Sequence, residues 1–171
     1  MLTAMKETWI SRLTPSPGWL PLALGAALLV LGCYPKHIGP PGPDGERSTW
    51  AEMDRARRMA HMRRQVVPRA AAVFRAWRPE RYREFDCATC HGPGAAGGDY
   101  GMPTDHLPRL SGQVLLGPEF ERHPDTTDLK LDRLVPEMAE ALGVSSFSII
   151  TRSGFGCYSC HLGPDGPMFG N

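Results

Sequence analysis

The sequence predicts a mainly α chain with much irregular loop, built as two units that each place a helix before a C-x-x-C-H motif. Three observations carry this expectation. Two stretches repeat apolar residues at helical spacing. Gly 19 and Pro 17 among 171 residues, with no three-residue period, mark long irregular segments. The cysteines after the first fall into two identical frames, Cys87-Ala88-Thr89-Cys90-His91 and Cys157-Tyr158-Ser159-Cys160-His161. With 42% hydrophobic and 22% charged residues and a net charge of +1, the chain is too apolar for wholesale disorder. That balance also gives no reason to expect nucleic-acid binding. Aromatic residues make up only 8%, so the protein core looks thin and another source of buried apolar surface is expected.

Residues 1–32 read as a lipoprotein signal peptide. Lys6 and Arg12 form a short basic region, and Trp19 to Gly32 carries no charge. That run falls short of the roughly 20 residues of a membrane span and suits a signal-peptide core. It ends in Val30-Leu31-Gly32-Cys33, which resembles a bacterial lipobox, with Leu31 larger than the usual residue. The resemblance makes Cys33 the lipidated first residue of the mature protein. An uncleaved N-terminal anchor is the other reading. Either one gives an exported protein of the bacterial cell envelope, held to the inner or outer membrane and facing the periplasm or the cell surface. Acyl chains contribute about 0.8 kcal/mol per buried methylene. Residues 33–48 are rich in Pro and Gly and form a tether, with His37 solvated inside it.

The remainder, 49–171, divides into units at about 49–127 and 128–171. The first helix is expected over 49–77, capped by Ser48 or Thr49, with Glu52 and Asp54 in its first turn. Met59, Met62, Val66, Ala70, Val73 and Trp77 form its stripe, Pro68 kinks or splits it, and Arg78-Pro79 ends it. Residues 92–127 are expected to be irregular. The second helix is expected over about 128–142, with Leu131, Leu134, Val135, Met138 and Leu142 on its stripe and a stop at Gly143. Phe147 to Thr151 reads as a short strand or an extended link. Val67-Pro68 answers Val135-Pro136, and Phe85-Asp86 answers Phe155-Gly156, so the chain looks like two copies of one unit. Charge is uneven between them. Residues 47–83 carry eleven Arg against Glu52, Asp54 and Glu80, a net of +8, whereas 84–171 carry five bases against twelve acids, a net of −7. The halves could neutralise each other on packing, or the Arg-rich face could meet anionic groups or a redox partner.

C-x-x-C-H is the c-type haem attachment signal. Two thiols add across the two vinyl groups of one haem, and the following His supplies the proximal nitrogen to iron. The expectation is therefore two covalently bound haem c groups, one on Cys87 and Cys90 with His91 as proximal ligand, the other on Cys157 and Cys160 with His161. A zinc site would bring together pairs unusually far apart and leave both His idle. C-x-x-C disulfides would close tiny loops and stabilise little. A thioredoxin-type pair would want a βαβ context.

Each iron needs a sixth ligand. Met138 is the candidate for the second haem. Met62 is the first choice for the other, with Met59, His61 or Met102 in the loop Gly101-Met102-Pro103 as alternatives. The repeat sets Ala70 opposite Met138, so symmetry does not name that ligand. His106 and His123 are expected at the surface.

The order of a Met-bearing helix and then C-x-x-C-H resembles haem units of the tetrahaem cytochrome subunit of photosynthetic reaction centres. The stretch F-D-C-A-T-C-H-G with a later G-M-P, and F-G-C-Y-S-C-H further on, resembles still more the small exported c-type cytochrome lipoproteins of non-photosynthetic bacteria. The resemblance covers about 59–168, and what it carries over is the haem-unit architecture. Two motifs rather than four, and the long 92–127 loop, set this chain apart from the reaction-centre subunit. The function expected is a membrane-tethered dihaem electron carrier serving exported or membrane redox partner proteins. The rival is a peroxidase-like enzyme or haem sensor with one open iron.

Overall fold

The computed structural model describes residues 38–113 and 117–168, all of which fall in one compact unit, Pro35–Asn171. The expected signal peptide, the lipidation site Cys33 and His37 lie outside the described residues. The described chain is mostly helical with irregular loops and no sheet. Its few β-type pairings are isolated bridges.

The first long helix is a composite of α1 (Arg55–His61), a π turn (Met62–Val66) and α2 (Val67–Trp77). It starts later than the sequence implies. Asp54 is the cap, accepting from the Arg57 N–H at 2.7 Å. Thr49 closes its own turn instead, donating its N–H and hydroxyl to Glu52 at 2.7 and 2.8 Å. The helix ends at Arg78, as Pro79 requires. Pro68 does not break it. Proline has no N–H and its ring crowds the carbonyl four residues back. Opening the preceding turn by one residue relieves both problems, and the Val67 N–H bonds to the Met62 carbonyl across the widened turn.

The second composite repeats the device. α5 (Pro124–Leu129), a second π turn (Lys130–Leu134) and α6 (Val135–Leu142) run in series, and the Val135 N–H bonds to the Lys130 carbonyl just before Pro136. The same offset of 68 residues thus relates Met62 to Lys130 and Pro68 to Pro136. This helix begins at Pro124 rather than 128, and the short α4 (Pro118–Arg122) precedes it. Each takes a proline in its first turn, where the missing N–H costs nothing. The loop expected over 92–127 is therefore partly helical. Each π turn also rotates the helical phase, so neither apolar stripe is straight. Leu131, assigned to the buried face from the sequence, is 37% exposed.

α6 stops at Gly143, which adopts φ 64°. The Val144 N–H reaches back to the Ala139 carbonyl at 2.9 Å and the Gly143 N–H to Glu140 at 3.0 Å, closing the last turn. A side chain at Gly143 would collide with the Gly39 backbone, whose N–H donates to the Gly143 carbonyl at 3.0 Å. The entering chain is thereby pinned to the end of α6.

The two composites pack on each other through α2 and α6. Their buried residues are Ala70, Ala71 and Phe74 from one and Met138, Ala139 and Ala141 from the other. Alanines there let the backbones approach closely. Arg69 is the one ion-pair link between the halves among the described residues, 3.4 Å from Glu137 and 3.2 Å from Glu140. The opposite charges of the halves are otherwise not paired off by direct bridges, because most of the arginines stay exposed. Residues 147–151 form no strand. Phe147 and Ser148 pair back onto Phe155 and Ser153 at 2.8 and 2.9 Å, leaving Ile149 and Ile150 exposed at the bend. No helix among the described residues is long and apolar enough to cross a membrane.

Candidate functional site

The first motif is itself one helical turn, α3 (Cys87–His91). Asp86 caps it by accepting from the Thr89 N–H at 3.2 Å, and the Thr89 hydroxyl accepts from the Asp86 N–H at 3.1 Å. The turn is anchored to the first composite helix by rings. Phe74 stacks on Phe85 at 5.5 Å and lies 4.7 Å from Tyr82. The second motif opens with a 3-10 turn, Cys157–Ser159. There the Ser159 hydroxyl accepts from the Gly156 N–H at 3.1 Å, so it does for the second turn what Thr89 does for the first.

The four cysteines of the two motifs are free thiols. Burial pushes the Cys90 thiol up to about 11 and the Cys160 thiol up to about 12. Cys90 adds to the rise at Cys160, which puts the second cysteines of both motifs within electrostatic range. Cys157 is also raised by burial. Among the described residues, no three His, Cys, Asp or Glu side chains converge where they could hold a bare metal ion.

The loop after the first motif folds back onto the second. The Thr104 N–H donates to the Cys160 carbonyl at 3.1 Å and the Leu110 N–H to Leu162 at 2.9 Å. Arg109 adds a bond to the Gly163 carbonyl at 3.0 Å. This brings the Pro108 carbonyl 2.7 Å from Nδ1 of His161. Nδ1 is therefore the protonated ring nitrogen, and Nε2 keeps its lone pair. His161 is 7% exposed, and burial lowers its pKa, with Pro108 opposing and Lys130 adding to the effect. The Nζ of Lys130 lies 3.5 Å from that Nε2. Burial lowers the lysine pKa, against the pull of Cys157, Cys160 and Cys90. One cation from the second π turn thus stands among thiols of both motifs.

His91 is arranged differently. It meets Tyr100 edge-on at 5.5 Å, and burial lowers its pKa while the nearby Gly101 carbonyl raises it. Its Nδ1 is buried without a well-formed hydrogen bond. An open cleft of about 290 Å³ beside it is lined by Asp99, Asp105, Arg109 and Leu162.

No protein-family model, curated protein or solved structure matches this chain.

The residues fit a group held by two thioethers and one imidazole per motif. Free thiols stand one turn apart, both imidazoles are biased to the neutral form that ligates metal, and the Pro108 bond orients His161 as ligating histidines usually are. Of the distal candidates, Met62 opens the first π turn and is half-buried. Met138 is buried on α6 at 7% exposure. Met102 is half-buried, between Gly101 and Pro103, which both line the cleft at His91. Met59 is half-buried, and Nε2 of His61 is engaged by the Ala141 carbonyl at 2.8 Å. His106 and His123 are exposed, as expected. Sequence reasoning missed Pro108, Thr89, Ser159 and Lys130. The two hydroxyls were legible, since both motifs carry one just before the second Cys. Pro108 acts through a backbone carbonyl and leaves no such signal.

Proposed function

We propose that this chain is a dihaem c-type cytochrome that carries electrons between redox partner proteins of the bacterial cell envelope. Cys87 and Cys90 attach one haem, with His91 as proximal ligand, and Cys157 and Cys160 attach the other, with His161. Each covalently held haem supplies a one-electron centre. The chain's own residues fix and shield it. The Thr89 and Ser159 hydroxyls tie each motif's turn to the backbone N–H that precedes its first Cys. Pro108 holds the second imidazole in the tautomer that offers Nε2. The buried apolar set favours a large added group. Among the described residues it comprises Met53, Phe74, Met138, Tyr158, Leu162 and five alanines, little for a loop-rich fold to close on. Acylation of Cys33 and the tether at 33–48 would hold the carrier at a membrane.

The observation that carries this reading is the pairing of free thiols in two C-x-x-C-H turns with an imidazole pinned through Nδ1. It is tested by intact mass after expression in a host competent for cytochrome maturation. The wild type gains two haem masses, and the pairs C87A/C90A and C157A/C160A lose one each. A wild-type chain with no added mass overturns the proposal. One feature favours a second reading, the peroxidase-like enzyme or sensor. The cleft at His91 is open and lined by Asp99, Asp105 and Arg109. Carbon monoxide added to the reduced protein separates the two, since a carrier with both irons closed shows no spectral shift.

A further inference from the structure

The second π turn places an amine at the second imidazole. Nζ of Lys130 and Nε2 of His161 are 3.5 Å apart and come from different elements, one from the helix and one from the motif. Two metal–nitrogen bonds of about 2 Å each, on opposite sides of one metal, require about 4 Å between the nitrogens. Nε2 is the nitrogen that Pro108 leaves free. Lys130 is half-buried and, among the described residues, makes no ion pair with a carboxylate. An amine so placed has no surface role to explain it.

The repeat points the same way. Lys130 opens the second π turn, and Met62 opens the first. In both units, this position carries an unbranched side chain with a donor atom at or next to its end, the thioether sulfur of Met62 and the amine of Lys130. Single π turns of this kind recur at functional sites, because they re-aim one residue out of the helical register. Met138 lies two turns further along the same composite helix, about 12 Å of rise away.

We propose that Lys130 is the distal ligand of the iron held by His161, in place of Met138. This rests on the dihaem reading above. The amine binds in its neutral form and gives its proton to water. With Met62 in the corresponding place, the first iron takes a thioether and the second an amine. Because Met/His ligation raises the potential, Lys130 would make the second site the lower-potential one and Met62 the first site the higher.

The test uses the purified holoprotein, with K130A, K130R, K130M and M138L, read by low-temperature electron paramagnetic resonance and by the visible and near-infrared spectrum. Wild type shows two low-spin irons, only one of which has a thioether-to-iron charge-transfer band. K130A turns half of the iron high-spin. K130R does the same although it keeps the charge, which a purely electrostatic or packing role would not predict. K130M restores low spin, doubles the thioether band and raises the lower potential, while M138L changes none of these. The proposal is overturned if K130A and K130R leave both irons low-spin, or if M138L produces the high-spin signal. Should the variants fail to mature, a thioether band from both irons of the wild type overturns it. Haem mass in the wild type reports on the dihaem reading separately.

Discussion

Nδ1 of His161 donates to the carbonyl of Pro108 at 2.7 Å, across 53 positions of chain. Neither residue holds the other unaided. Pro108 is set by the flanking bonds of Thr104 to Cys160 at 3.1 Å and Leu110 to Leu162 at 2.9 Å. The long loop between the motifs thus works as a clamp on the second.

Removing one jaw of that clamp tests it. L110P takes away the N–H that bonds to Leu162 and leaves a buried carbonyl unmatched, at a cost of about 1–3 kcal/mol. The expected result is a melting temperature lower by several degrees and, in the proposed dihaem protein, a changed potential for one centre of two. Unchanged values for both would show that the loop does not govern His161.

The hydroxyls at the third position of each motif should be worth about as much as helix caps. S159A and T89V each lose a bond to the backbone N–H before the first Cys, costing about 0.5–2 kcal/mol. Urea unfolding measures this. Thr89→Ser should restore most of the loss, since the hydroxyl rather than the methyl makes the contact.

Alkali should weaken the haem-free chain. The Cys90 and Cys160 thiols are raised to about 11 and about 12 by burial, while an unfolded thiol titrates near 8.5. A raised value favours the protonated form in the fold. The stabilisation is therefore complete below about pH 8 and is lost as pH climbs from about 8.5 through 11 and 12. The urea midpoint of the haem-free chain should fall between about pH 7 and pH 10, and iodoacetamide at about pH 8 should label Cys160 far more slowly than a model thiol. A midpoint that stays level would contradict the burial of these groups.

Arg69 joins the two composite helices through Glu137 and Glu140 at 3.4 and 3.2 Å. All three side chains are partly exposed, so R69A should cost only about 0.2–1 kcal/mol, and less at high salt. A double-mutant cycle with E137Q isolates the coupling. A loss of several kcal/mol would mean that the arginine stem, not its charge, closes the helix pair.

The linear chain determined the two motifs, the two helices and their likeness, because these are local patterns: fixed spacing for the C-x-x-C-H frames, helical periodicity for an amphipathic face, Gly143 for a stop. Val67-Pro68 and Val135-Pro136 were legible as a repeat, but not as two π turns, since a proline in a helical stripe reads equally as a kink, a break or a start. Which residues meet was decided by the tertiary structure alone. Lys130 reads in sequence as one more solvated cation, and Pro108 as a loop residue. Only the return of the 104–110 loop and the one-residue phase slip of the π turn bring them to either side of His161, because contacts between distant segments depend on packing geometry that no local spacing encodes.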